Sequence, residues 1–461
     1  MVICVTVLCG VLGFVRQFAC QLTLPCPVYS VPKVPFLLPC SAARERWTLV
    51  LHRIVVSKRG FIWRMTFMEQ YHSGTMRILD ALGGELDQIG ALGSRATDVL
   101  KRGGSVWTSM NVGHMPIFEQ ADDRRGNPGL MKQHTEFSEL RSGDLVFTNF
   151  CNREVLEARE RGVYVVCVTT PYRDDEFRPP GFTDISHGNP DNLMLADVAN
   201  EILQSHMPYQ QGLVDTPDFP EFRLCPCATT GSGSIHWMLN AEIAAKSADP
   251  DVREGEHARQ YLAMVNERIV RSAQHMPSIQ QTAATMAERV LDGGCWFAKS
   301  LEHPGFETEF NVASGPRVVN HGDWGAAMDK NVMLISAISP AFGPEIDLAE
   351  KVTAEGAFLL CVGVDSIDGN VPEKSLFDVA DVGFDTFSPE SGGVVKIPGT
   401  SKTVCPTSGI VGNVIQQMIS AQWAQQMITL GAVPTFLRGV YQAGGREYND
   451  DMTPLFEQRG Y

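Results

Sequence analysis

The chain has 461 residues, enough for two or three domains, and its 44% hydrophobic and 20% charged residues are the make-up of a soluble globular protein. A formal net charge of −15 argues against a general nucleic-acid or anionic-membrane binder, because both demand a basic surface. It leaves a phosphorylated small molecule open, since a local pocket can bind an anion through backbone N–H groups alone.

Residues 1–64 differ from the rest. "MVICVTVLCGVLGFV" is apolar, "CPVYSVPKVPFLLPC" is rich in proline and cysteine, and Cys4, Cys9, Cys20, Cys26 and Cys40 crowd together here. No basic residue precedes the apolar run and no small-x-small cleavage site follows it, which weakens a signal peptide. Arg16 cuts the run below the roughly 18–20 residues that a membrane span needs. The plainest expectation is an atypical extension, disordered or translated from upstream sequence, with the folded chain starting near Met65 or Met68. The remaining cysteines sit mostly in apolar contexts and read as buried small hydrophobes in a reducing, cytoplasmic compartment. Cys225-Pro-Cys227 is too short for a CxxC motif and has no second pair, so no metal is expected.

From Tyr71 to Arg102 the apolar residues recur at helical spacing, and a Gly103-Gly104 turn and the strand "SVWTSM" follow. The same unit returns from Tyr261 to Asp292, with Gly293-Gly294 and "CWFAKS". Glycine just past a helix end supplies the left-handed cap. The parallel continues through the strands "GDLVFTNF" and "NVMLISAIS", a helix after each, and the strands "VYVVCVTT" and "AFLLCVGV". "LADVANEIL" and "VADVGFDTF" come next, and "CATTGSGSIHWMLNAEIAAK" then pairs with "CPTSGIVGNVIQQMISAQWA". Nearly unbroken apolar strands alternating with helices mean a parallel sheet covered on both faces. An α/β protein of two tandem doubly wound domains is expected, at 65–250 and 251–461, joined at the charged "SADPDVREGEH". Ligands in such sheets bind beyond the carboxyl ends of the strands.

The order of helix, Gly-Gly, strand, Gly-His loop, polar-tipped strand, helix, strand, "ADV" and a "PTS" turn resembles the sugar isomerase (SIS) domain family. The likeness is greatest to its short phosphosugar-binding members. It rests on "GGSVWTSMNVGHM", "SGDLVFTNF", "RGVYVVCVTT", "HGNPDNLMLADV", "CPTSGIVGNVI" and "VYQAGGREYNDDM", and covers residues 68–461 in two copies. It implies a flavodoxin-like sheet in each copy, a phosphorylated sugar as ligand, aldose–ketose isomerisation in many members, no cofactor, and a site between the copies or with a symmetry mate.

Phosphate wants hydroxyls and free N–H groups at a helix start. The family supplies them from an S-x-S-G-x-T loop after the second strand. Here the first copy has Thr148, Asn149 and Asn152, without glycine or serine, and the second has Ser336 and Ser339 before Pro340. Proline removes an N–H and stiffens the loop, which counts against an isomerase of the usual kind. The turns opening the last helices add Thr229, Thr230 and Ser232, and Thr407 and Ser408, with ordinary N-capping as the alternative. Lys299 at a strand tip could neutralise phosphate or be solvated. Isomerisation also needs a carboxylate base, for which Glu119 and Glu307 are the candidates, against a reading as solvated helix-start residues. His114, His187 and His303 are the candidate acid–base partners, against structural or surface histidines. Three functions compete: an isomerase, a non-catalytic phosphosugar sensor, and a structural pseudoenzyme. The apolar helix "VIQQMISAQWAQQMI" further suggests a homodimer.

Overall fold

In the computed structural model the described residues are 65–110, 117–133, 137–149, 153–169, 198–208, 211–303, 310–320, 328–367, 369–390, 392–439 and 444–461, with a few strand residues before them. The chain forms two units, Met1–Trp63 and Arg64–Tyr461. The first contains two antiparallel strand pairs, Ile3–Thr6 with Gln17–Cys20 and Val56–Ser57 with Gly60–Phe61. The second carries the repeat.

Helix α1 (Phe67–Leu82) opens with a reciprocal capping box between Thr66 and Glu69 and buries Met68, Tyr71, Thr75, Ile78, Leu79 and Leu82 at helical spacing. The sequence reads as one helix to Arg102, but a 3-10 turn at Gly83–Glu85 divides it, and α2 (Leu86–Lys101) follows. The second copy breaks at the matching point, Ala273–His275, between α5 (Glu256–Ser272) and α6 (Met276–Leu291). Gly83 and Gly84 weaken the helix in one copy, and Pro277 in the first turn of α6 removes an N–H in the other. Both Gly-Gly turns form as expected. Gly103 and Gly293 take φ of 80° and 97°, and the Gly104 and Gly294 N–H groups each donate over 3.0 Å to carbonyls in the preceding last turn.

The first copy then lays down β1 (Val106–Ser109), β2 (Lys132–Gln133), β3 (Leu145–Thr148), α3 (Arg153–Glu160), β4 (Tyr164–Val168) and β5 (Glu201–Leu203). The second lays down β6 (Trp296–Lys299), β7 (Val319–Asn320), β8 (Val332–Ala337), α7 (Gly343–Ala354), β9 (Phe358–Gly363) and β10 (Val382–Asp385). The strand orders are β2-β1-β3-β4-β5 and β7-β6-β8-β9-β10, parallel throughout. The chain therefore folds as two tandem doubly wound α/β sheets, each with its order switch beside the first strand.

Each copy ends in a long helix, α4 (Ser234–Ala248) and α8 (Ser408–Thr429), both buried on nearly every side. These helices join the copies. Helix α1 packs on α8 and α5 packs on α4, so each copy's first helix lies on the other copy's last. Phe67 N–H donates to Gln425 Oε1 over 2.8 Å, and Ala258 N–H to Glu242 Oε1 over 2.8 Å. Helix α8 is "VIQQMISAQWAQQMI", the basis of the homodimer expectation. Its apolar surface is covered within the chain, with Trp423 packed edge-on against Trp296. Among the described residues no helix is long and apolar enough to cross a membrane.

A second exchange is reciprocal. The Cys405 N–H donates to Gly126 O of the first copy over 2.8 Å, and the Cys225 N–H to Ser314 O of the second over 2.6 Å. Both cysteines are left-handed at φ 65°. They precede the last helices, so the hydrogen bonds pair Cys225, rather than Cys227, with Cys405. A π-helical turn, Thr229–Gly233, precedes α4, whereas α8 starts directly after Thr407.

At Gly126 (φ 85°) an added Cβ would lie 1.7 Å from Gly392 O, whereas Gly129 (φ 72°) faces open space. Gly126→Ala should therefore cost about 2 kcal/mol or more and Gly129→Ala about 1 kcal/mol, read from urea midpoints. Equal losses would remove the close approach as a constraint.

Candidate functional site

Glu119 sits in a single helical turn, Ile117–Gln120, after β1. Its side chain is only 1% exposed. Oε1 accepts from Arg124 Nε over 3.2 Å and from His303 Nε2 over 2.8 Å, and Oε2 accepts from Trp237 Nε1 over 3.1 Å. Arg124 and Trp237 belong to the first copy and His303 to the second. The carboxylate also lies on the start of α8, where a Cβ on Gly409 would meet Oε1 at 2.2 Å. Only glycine lets the acid approach that helix N-terminus, whose dipole favours a negative charge. Arg124 completes the junction by donating to Ser408 Oγ over 2.9 Å.

Burial alone would raise the Glu119 pKa. The Arg124 charge, the His303 contact and the Trp237 hydrogen bond overcome it and take the group from 4.5 to about 2. Burial also pushes His303 below its ordinary value, with Arg124 adding to the effect and Glu119 opposing it. The carboxylate only accepts, so Nε2 carries the imidazole proton. Glu119 and His303, both expected near a reacting centre, are thus brought together. Their contact is dry, charged and satisfied, and an acid with a pKa of about 2 is a weak proton acceptor at neutral pH.

Beside this cluster is a group that sequence reasoning missed. His236 on α4 is fully buried and held down to about 4, by burial against the opposing field of Glu119. Its Nδ1 faces Thr108 Oγ1 at 3.4 Å and its Nε2 faces Asn240 Nδ2 at 3.1 Å. Thr108 Oγ1 donates to Gln120 Oε1 over 3.0 Å, and the same oxygen accepts from Met110 N over 2.9 Å. "SIHWMLN" gave the only clue, an i, i+4 His–Asn pair on a helix; Arg124 hid in the acidic-looking "ADDRRGN".

In the second copy Thr407, Ser408 and the backbone of Ser339, among the expected phosphate ligands, are engaged internally. Thr407 Oγ1 shares a 2.8 Å hydrogen bond with Ser388 Oγ, and Ser408 holds Arg124. Ser336 is buried, and its carbonyl accepts from Ser300 Oγ over 2.8 Å. The N–H groups of Ile338 and Ser339 donate to Glu302 Oε2 over 2.8 and 2.6 Å. Lys299 is half-buried at the end of β6.

The first copy differs. Thr148 is buried at the tip of β3, and Asn149 N–H donates to Ser109 O over 3.3 Å. In the π-helical turn, Thr229, Thr230 and Ser232 are all buried. The hydroxyls of Thr230 and Ser232, and that of the adjoining Ser234, have no hydrogen-bond partner in the chain. His114, Asn152, His187 and Glu307 lie outside the described residues. Among the described residues no cluster of His, Cys, Asp and Glu could hold a metal ion. A cavity of about 360 Å³ lies elsewhere, between Phe219, Phe222 and the C-terminal helix α9 (Gly445–Arg459), and no strand tip lines it.

No protein-family model and no curated protein matches the chain. Among solved structures, it is similar to the C-terminal domain of glucosamine-fructose-6-phosphate aminotransferase from Francisella tularensis, at 11% identity and a TM-score of 0.46, over 81% of this chain and 98% of that one. A candidate phosphosugar isomerase from Silicibacter pomeroyi is similar at 13% identity and a TM-score of 0.44, over 80% and 100%. Tagatose-6-phosphate ketose/aldose isomerase from Escherichia coli is similar at 11% and 0.39, over 83% and 97%.

The Glu119 cluster sets a pH dependence. Its folded pKa lies below the ordinary value, so its contribution is complete above pH 4.5 and fades as pH falls toward 2. Glu119→Gln, which strands the Arg124 charge, should cost about 3 kcal/mol at pH 7. The gap from wild type should shrink below pH 4. A gap that stays constant with pH would show that the charge plays no part.

Proposed function

We propose that the chain binds a phosphorylated sugar in the crevice beyond the carboxyl ends of the first sheet, with residues 65–250 and 251–461 acting as two domains. The observation that carries this reading is the set of unpartnered, buried hydroxyls of Thr230, Ser232 and Ser234 at the start of α4. Buried hydroxyls without partners cost free energy, and an anion that accepts from them repays it. They open the last helix of the first copy, whose counterpart in the second copy begins in "CPTSGIVGNVI", one of the stretches that resemble phosphosugar-binding proteins. Thr148 and Asn149 at the end of β3 are further candidates, as is Asn152, which lies outside the described residues.

The reading favours binding over isomerisation by Glu119, because that carboxylate is pinned by three donors between the copies. Isomerisation would need another base, for which Glu307 with His114 or His187 are the candidates. The described cysteines are free thiols, which fits the cytoplasm, where phosphorylated sugars are made and used.

A thermal-shift series with sugar phosphates tests the proposal. A true ligand at a hundredfold excess over its Kd should stabilise the wild type by about 2.7 kcal/mol. Thr230→Val with Ser232→Ala should weaken binding about tenfold or more while leaving the unliganded protein folded. No shift with any sugar phosphate would remove the proposal. A shift without turnover identifies a sensor, and turnover lost in Glu307→Gln identifies an isomerase.

A further inference from the structure

At the tip of β8, the central strand of the second sheet, two consecutive N–H groups point at one oxygen. Ile338 and Ser339 both donate to Glu302 Oε2, at 2.8 and 2.6 Å. Consecutive backbone N–H groups at a strand end make a concavity that suits an anion. Here the anion is a side chain of the same copy, one-tenth exposed. Its other oxygen lies 3.8 Å from Arg125 Nη2 of the first copy, and that guanidinium also binds Glu390 at 2.7 Å.

The segment carrying Glu302 is held in place. Leu301 and Glu302 N–H groups donate to Glu345 Oε1 in the first turn of α7, over 2.5 and 3.0 Å. Ser300 Oγ accepts from His303 N over 2.9 Å and donates to Ser336 O over 2.8 Å. The carboxylate is therefore presented to the cradle by a fixed turn. By sequence the first copy has no carboxylate at the aligned position. In the register that pairs Tyr71 with Tyr261 and Val106 with Trp296, Glu302 falls on Val112, which has no charge to offer.

We infer that Glu302 is an internal anion that closes the strand-tip cradle of the second copy, so that an external anion enters only when this carboxylate is removed. Under the proposed function this leaves one ligand per chain, at the first copy. That stoichiometry rests on the first-copy reading, whereas the cradle does not.

The test is Glu302→Ala in the full chain, melted in acetate or inorganic phosphate against chloride at equal ionic strength. Acetate matches the atoms removed. The expected result is a rise in melting temperature of about 2 °C or more in the variant and none in the wild type. Glu302→Gln keeps an oxygen on both N–H groups and should stay as unresponsive as the wild type. If Glu302→Ala does not fold in chloride, its refolding yield in acetate becomes the readout, and recovery supports the inference. Equal responses of the variant and the wild type, a Glu302→Gln response as large as that of Glu302→Ala, or a refolding yield that acetate leaves unchanged would each overturn it. A wild type that ignores every sugar phosphate would remove the first-copy site and leave this result standing.

Discussion

The junction between the two sheets depends on one buried carboxylate. Glu119 gathers a cation from its own copy, an imidazole from the other and the N-terminus of α8 into one dry contact. A carboxylate taken from water is costly unless its partners are in place. Arg124 and His303 can both be in place only when residues 119–124 and 301–303 meet. The cluster therefore specifies how the copies associate more than it adds net stability. Gly409 is the geometric condition, because any side chain there would occupy the space of the carboxylate.

Around that point the copies exchange elements like partners in a dimer. First helices trade last helices, and Gly126 and Ser314 each offer a carbonyl across to a left-handed cysteine. The cysteine conformation is sparsely populated for a residue with a Cβ, and it persists because the crossing hydrogen bond fixes it in both places. A duplicated chain with this packing already supplies the second copy that a single-sheet protein would have to recruit, and this is why the long apolar helix α8 ends up inside.

The repeat was legible because its signals are local. The Gly-Gly turns, the apolar strands and the helical spacing from Tyr71 and from Tyr261 are set by neighbours a few residues away, and each formed where expected. The break at Gly83 and at Ala273 is also local, and only Pro277 and the paired glycines hint at it. The candidate site was legible in part. Glu119 and His303 stand out in opposite copies, but their meeting comes from a contact between distant segments that no local pattern encodes. His236 does not stand out, because it lies inside an apolar helix and only the folded chain brings that helix against the tip of β1. The π-helical turn was hidden by the match of Cys227 to Cys405, which reads well as letters but not as hydrogen bonds.

The two copies share a fold and differ in how they satisfy their polar groups. In the second, Glu302 caps the N–H groups at the strand tip, Arg124 takes Ser408 and Ser388 takes Thr407, so each of these polar features of the crevice has an internal partner. In the first, the buried hydroxyls of Thr230, Ser232 and Ser234 ahead of and at the start of α4 have none. Buried polar groups are paired as a rule, and both copies depart from it, since the side-chain amides of Asn413 and Gln416 on α8 are also buried without a partner. Unpaired buried hydroxyls bear a stability cost, which a guest that accepts from them would offset.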